Sequence, residues 1–297
     1  MIDAREIAEL QKPTLIKSLV IVWFEWTLIF LAFLLVFQFQ HPTVYLMAVL
    51  FIGTRQLALY TQMHDASHFK LTASRVVNDL LGQVLLALPL FYSLHRFRTI
   101  HFAHHRHLKS EKDPEHGHSS YPEFQFPMTK KTFVLILLMD LSGFNYLRYK
   151  FLKLRAFTTS DLQKVFSKDS ISIAALGFYP VLVLFLSYLN LWGYFLILWV
   201  APYVTVYQAL LRFRLYMEHF CIPQDNEYQT RTVITNVLER FFISPYNLSY
   251  HIEHHLYPGV PSYSLKKVSM KLMGSESFRR KAIINNGYAC ALRNFLI

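Results

Sequence analysis

The chain has 297 residues, of which 53% are hydrophobic, 16% aromatic and only 16% charged, whereas soluble domains run about 45–50% apolar and about 25% charged. That balance argues against a soluble globule and for a membrane protein. The formal net charge of +11 comes with no nucleic-acid fingerprint, and two cysteines, Cys221 and Cys290, support neither a disulfide framework nor a sulfur-based metal site.

Taken in chain order, Ser18–Phe39 is a 22-residue apolar stretch whose one charge is Glu25, long enough for a bilayer core of about 30 Å. It follows a polar start and no small-residue cleavage site follows it, so it reads as a span rather than a signal peptide. Thr43–Tyr60 is a second candidate, joined to the first by the turn "QHP" at Gln40–Pro42. Val76–Leu94 and Thr132–Leu147 contain Asp79 and Asp140 and have basic flanks. A charge at the bilayer centre costs about 2.5–3.5 kcal/mol, so both are expected to lie in the interface or against the spans.

Ile171–Leu211 carries no Asp, Glu, Lys or Arg over 41 residues, roughly 60 Å as helix. The sequence "NLWG" at Asn190–Gly193 breaks it into a hairpin of two spans, 171–189 and 191–211. The fold class expected is therefore an all-α integral membrane protein. Four transmembrane helices form two hairpins, with a cap at about 61–170 and 212–297, in one domain over residues 1–297. The two short connections carry no Lys or Arg, which puts both termini and the cap in the cytoplasm.

The histidines carry the chemistry. "HDASH" (His64–His68), "HFAHH" (His101–His105) and "HIEHH" (His251–His255) hold eight of the 14, and with four crossings all three fall on one side. Positions i, i+3 and i+4 share a helix face, so His64 and His68, then His101, His104 and His105, then His251, His254 and His255 can each point one way. Neutral imidazole suits iron, copper, zinc and nickel. Eight ligands exceed one ion's needs, so two metals are expected. His219, just past the fourth span, is a ninth ligand candidate. Asp65, Glu218 and Glu253 sit beside ligand histidines as candidates to accept a ring N–H. Asn247, four residues before His251, shares its face if the helix begins that early. His41, His95, His116 and His118 read as structural or exposed, and His107 lies off its cluster's stripe.

These residues resemble the three histidine boxes of the integral-membrane fatty acid desaturase and hydroxylase superfamily. "HFAHHRHLKSEKDPE" is similar to the second box of bacterial members and "NLSYHIEHHLYPGVPSYSL" to their third, and the resemblance covers roughly residues 15 to 275. It implies a non-haem di-iron centre held by the eight box histidines, with His219 matching an additional family histidine. An asparagine that some relatives place four residues before that histidine is Leu215 here. It also implies dioxygen as co-substrate, two electrons from a separate cytochrome- or ferredoxin-type donor, and a lipid acyl substrate that is desaturated. A lipid hydroxylase or carotenoid ketolase shares the same plan. A membrane metal transporter or sensor is the reading from another class, and an assembly protein with a vestigial site is a third.

Overall fold

The computed structural model describes residues 2–114, 121–155, 173–293 and 295–296. His116 and His118 lie outside them, as do residues 171 and 172 of the expected third span. After a short helix α1 (Ala4–Leu10), α2 (Leu15–Phe39) and α3 (Pro42–Ser67) form an antiparallel hairpin. Its turn follows from local chemistry. Gln40 takes φ 41° to end α2, Pro42 occupies the first turn of α3 where its missing N–H costs nothing, and His41 Nδ1 accepts from Thr43 N at 3.3 Å. The second span is longer than expected. It runs on to Ser67, so the first histidine cluster is its last turn rather than a segment after it, and the expected cap from residue 61 begins inside this helix.

Next come α4 (Arg75–Leu81), which continues as a π-helical turn over Gly82–Ala87, and α5 (Leu94–His107). The stretch expected in the interface or against the spans packs against α3, burying Asn78, Gln83, Leu86 and Leu90 while Val76 and Leu80 stay exposed. Thr132–Leu147 is two helices rather than one. α6 (Lys130–Leu141) stops at Gly143, whose φ of +77° favours glycine, and α7 (Phe144–Arg155) follows. Asp140, which argued against a span, is buried between them and accepts from Arg212 Nε at 2.5 Å and Asn145 Nδ2 at 2.8 Å.

α8 (Ile173–Tyr188) and α9 (Trp192–His219) form the second apolar pair. Three helices, α2, α3 and α9, are long and apolar enough to cross a membrane, and α8 is a shorter apolar helix of the same character among the described residues. α9 extends past the expected end at Leu211 to His219 because its last two turns turn Arg212, Arg214 and Glu218 inward to partners. Gly53 of α3 makes the close approach to α9, since a Cβ there would lie 2.5 Å from Val206 Cβ.

The remainder corrects the all-α expectation. Between α10 (Val237–Phe242), α11 (His251–Leu256), α12 (Leu265–Leu272), α13 (Glu276–Lys281) and α14 (Tyr288–Arg293) lies a two-stranded parallel ribbon. It pairs β1 (Arg231–Ile234) with β2 (Ile283–Asn286) in the register Arg231 to Ile283. Apolar side chains gather in three places. One group lies between the spans (Ile52, Leu57, Leu86, Leu198), one under α6 and α9 (Phe133, Tyr216, Phe295), and one behind α11 (Ile252, Leu265, Val268).

Candidate metal centre

Four pieces of chain deliver the imidazoles to one place. α3 carries His64 in its last turn, with His68 at its C-cap. α5 is seated against that end by Arg98, whose Nε donates to Ser67 O at 2.8 Å and Nη2 to Ala66 O at 3.1 Å. These are carbonyls that a helix terminus leaves without intrahelical partners. The same guanidinium pairs with Asp79, at 3.0 Å from Nη1 to Oδ2. Arg98 precedes His101 by three residues, so one helix face carries both the anchor and the ligand candidates; helix spacing was the signal that could have found it. α9 ends in His219. α11 is backed by β1, with Val233 N donating to Ser249 O at 2.9 Å and Thr232 Oγ1 to Glu253 Oε2 at 2.5 Å.

All nine histidines expected to ligate fall into two neighbouring sets. Ring nitrogens of His64, His68, His101, His105 and His254 lie within 4.8 Å of one another. The Nε2 atoms of His68 and His101 are 2.9 Å apart, those of His101 and His105 3.0 Å, and those of His105 and His254 2.9 Å. The other set is two groups that share His219, one of His104, His219 and His255 and one of Glu218, His219 and His251, and His251 Nε2 lies 2.8 Å from that of His219 and 3.2 Å from that of His255. The clusters therefore do not each face one point. The second and third boxes both divide between the sets, so α5 and α11 each touch two centres. His107 ends α5 outside both sets, and His41 and His95 are likewise apart from them.

Burial keeps these rings neutral. It holds His105 down at about 3, with His104 adding to it, and His101, His251, His254 and His255 well below the ordinary range, with neighbouring imidazoles as the next cause. Neutral rings keep a lone pair free. Both ring nitrogens of His64, and Nδ1 of His219 and of His251, are buried with no hydrogen-bond partner. Orphaned buried polar atoms are costly, and convergent unprotonated nitrogens are the donor set a borderline cation takes. The residues fit a pair of metal ions.

The four candidates for orienting a ring are placed differently from one another. Glu218 is within reach, its Oε2 3.8 Å from His251 Nδ1 while Oε1 holds Arg214 at 2.7 and 3.0 Å. Asp65 turns instead to Ser262, accepting from its N at 3.0 Å and its Oγ at 2.7 Å, with His64 Nδ1 3.8 Å away. Glu253 faces Thr232 on β1. Asn247 is not on the third-box helix, because α11 begins at His251 and Asn247 ends a short turn at φ 65°, donating to Tyr263 O at 3.4 Å. One partner was missed: Asp113, 5% exposed, which lies 3.0 Å from His104 Nδ1. Its signal was the acidic residue before Pro114 in the loop after the second box.

A cavity of about 780 Å³ opens onto both sets between α3, α5, α7 and α9. His64, His101, His104, His219 and His251 line it together with Tyr60, Tyr92, Leu211 and Leu215, and Lys153, Gln208 and Arg212 are among its polar residues. That volume is in the range of small-molecule sites, about 300–1,000 Å³.

Comparison with known proteins adds names to this geometry. A family model described as fatty acid desaturase matches residues 40–277. The dihydrorhizobitoxine desaturase of Bradyrhizobium elkanii is 33% identical over 80% of this chain, and the sn-1 oleoyl-lipid 12-desaturases of Anabaena variabilis and Synechocystis are 23% and 28% identical over 74% and 72% of it. The matches span 70%, 66% and 64% of those relatives' own lengths.

Proposed function

Because the chain belongs to the fatty acid desaturase family, we propose that it inserts a double bond into a lipid acyl chain, using dioxygen and two iron ions held by its histidines. That it is a membrane oxidoreductase of the desaturase type follows from the family and from its long apolar helices. The single observation that carries the finer reading is that histidines of both imidazole sets line one cavity.

The transformation balances as R–CH2–CH2–R′ + O2 + 2e⁻ + 2H⁺ → R–CH=CH–R′ + 2H2O. Bound iron supplies the redox chemistry that attacks an unactivated C–H bond, which acid–base side chains alone do not reach. The protein's own residues do the rest. His64, His68, His101, His105 and His254 hold one ion, and His104, His219, His251 and His255 the other. Asp113 fixes the His104 tautomer by accepting its Nδ1–H. Tyr60, Tyr92 and Leu211 bound a slot that fixes which carbons lie beside the histidines and excludes water there. Lys153 gives the same cavity a cation suited to an anionic or polar headgroup, while Arg212 there is paired with Asp140.

In this reading the chain is one catalytic unit with four spans in two hairpins. Both termini and the metal centre are cytoplasmic, and a separate cytochrome- or ferredoxin-type protein delivers the electrons. The relatives are named for different substrates, dihydrorhizobitoxine in one and an sn-1 oleoyl lipid in the others. The test is therefore product analysis of a host with and without the chain, covering acyl lipids and small polar metabolites together. A new double bond in an acyl lipid supports the proposal. A new hydroxyl assigns the hydroxylase outcome, and an unsaturated small metabolite with unchanged lipids overturns the lipid substrate. Iron near two per purified chain supports the centre, and zinc alone without oxygen consumption overturns it.

A further inference from the structure

Glu25 of α2 and Arg55 of α3 face each other inside the first apolar hairpin, each 1% exposed, with Arg55 Nη1 3.2 Å from Glu25 Oε2. Charges in such helices are costly to bury and usually functional, and a buried pair is weak support for stability in itself. What distinguishes this pair is where its remaining hydrogen-bonding capacity goes. Arg55 Nη2 donates to Phe241 O, and its guanidinium lies 3.8 Å from the centre of the Phe241 ring. Tyr246 OH donates to the other oxygen of Glu25, Oε1. Both come from one segment far along the chain, which turns at Tyr246 (φ 59°) and Asn247 (φ 65°) without a glycine. Left-handed backbone at such residues persists only where its surroundings hold it. Four residues after Asn247 the chain reaches His251.

We propose that Glu25, Arg55 and Tyr246 form a latch that positions the third histidine cluster. The cluster is then held from both ends. Upstream, Tyr246 is fastened to Glu25 on α2 and Phe241 to Arg55 on α3; downstream, Ser262 is fastened to Asp65 on α3. Between these points His251 and His255 serve one ring set and His254 the other, so a small shift of α11 misplaces ligands for both. The role rests on the metal reading of those rings, while the latch geometry does not.

The test compares the full chain with Tyr246→Phe, which keeps the ring and the ion pair, and with Glu25→Leu/Arg55→Leu, which leaves no buried charge unpaired. In metal-free protein, amides of Leu248–Leu256 should exchange hydrogen about tenfold faster in both variants, with the helix Leu94–His107 unchanged. Loaded with Co²⁺, the variants should show an altered visible absorption band and release the metal to a chelator about 10–100-fold faster. Unchanged exchange in both variants overturns the latch, as does a Tyr246→Phe chain that loses helix content, since the hydroxyl would then serve the whole fold. Failure of the unaltered chain to take up Co²⁺ overturns the metal centre, and the exchange comparison still decides the latch.

Discussion

His104 directs Nδ1 at the carboxylate of Asp113, 3.0 Å from Oδ1 and 3.1 Å from Oδ2, and the same carboxylate accepts from Lys109 N at 2.9 Å. The loop after α5 thus folds back on its own helix and leaves His104 Nε2 for the set it shares with His219 and His255. Replacing Asp113 by Asn removes the anion that selects this tautomer while keeping the size of the group. Metal affinity at the second set should fall about 10–100-fold, with the first set little affected. Competition with a chelator, followed by metal counting, checks this; equal loss from both sets would contradict it.

The division into two sets makes the single-ligand variants informative. His64 belongs only to the set with His68, His101, His105 and His254, and His104 only to the other. His64→Ala and His104→Ala should each retain about half of the bound metal, since a dimetal reaction uses both ions, and each should abolish desaturation. Elemental analysis alongside product analysis reads both. Total metal loss from either variant would mean that the nine rings form one cooperative site.

The meeting of the histidine clusters was legible in the sequence because helical spacing is local: one cluster at i, i+4 and two at i, i+3 and i+4 need no tertiary knowledge. Their sorting was not. His68 lies at the helix end rather than on its face, and His104 is drawn away from His101 and His105 by a loop carboxylate. Asp65 and Glu253 look alike beside their histidines in the sequence, yet each is claimed by a hydroxyl from a distant segment, Ser262 or Thr232. The ribbon was hidden for a similar reason. Its two four-residue strands pair across about fifty positions, and neither is long enough for alternation to show. The apolar helices were found with ends a few residues short, because α3 and α9 run on into the polar centre wherever their charged groups find partners.

Leu211, on α9, lines the cavity and belongs to neither histidine set. Leu211→Trp adds an indole to that slot without touching a ligand. Bulk in a shaped hydrophobic pocket is worth about 1–3 kcal/mol in discrimination, so long acyl substrates should lose about 10-fold or more in kcat/KM while bound metal stays unchanged. Should a shorter chain be used as well as before, the slot measures length. Uniform loss of activity together with metal would instead place Leu211 in the support of the centre.

The contact between Gly53 and Val206 sets the distance between α3 and α9, and through it the cavity. A Cβ at position 53 would lie 2.5 Å from Val206 Cβ and 3.3 Å from Tyr207 N, far inside contact distance. Gly53→Ala should therefore push the helices apart, at about 1–3 kcal/mol for overpacking. Tyr207, the next residue, meets Tyr92 at 3.1 Å between hydroxyls, so separation also shifts the wall beside the histidines. Thermal unfolding in detergent should fall by several degrees, about 2–4 °C per kcal/mol, and desaturation should fall with it. Moving the small residue across the interface, as Gly53→Ala/Val206→Gly, should recover much of both. If the double variant is no better than the single, the contact is not what fixes the spacing.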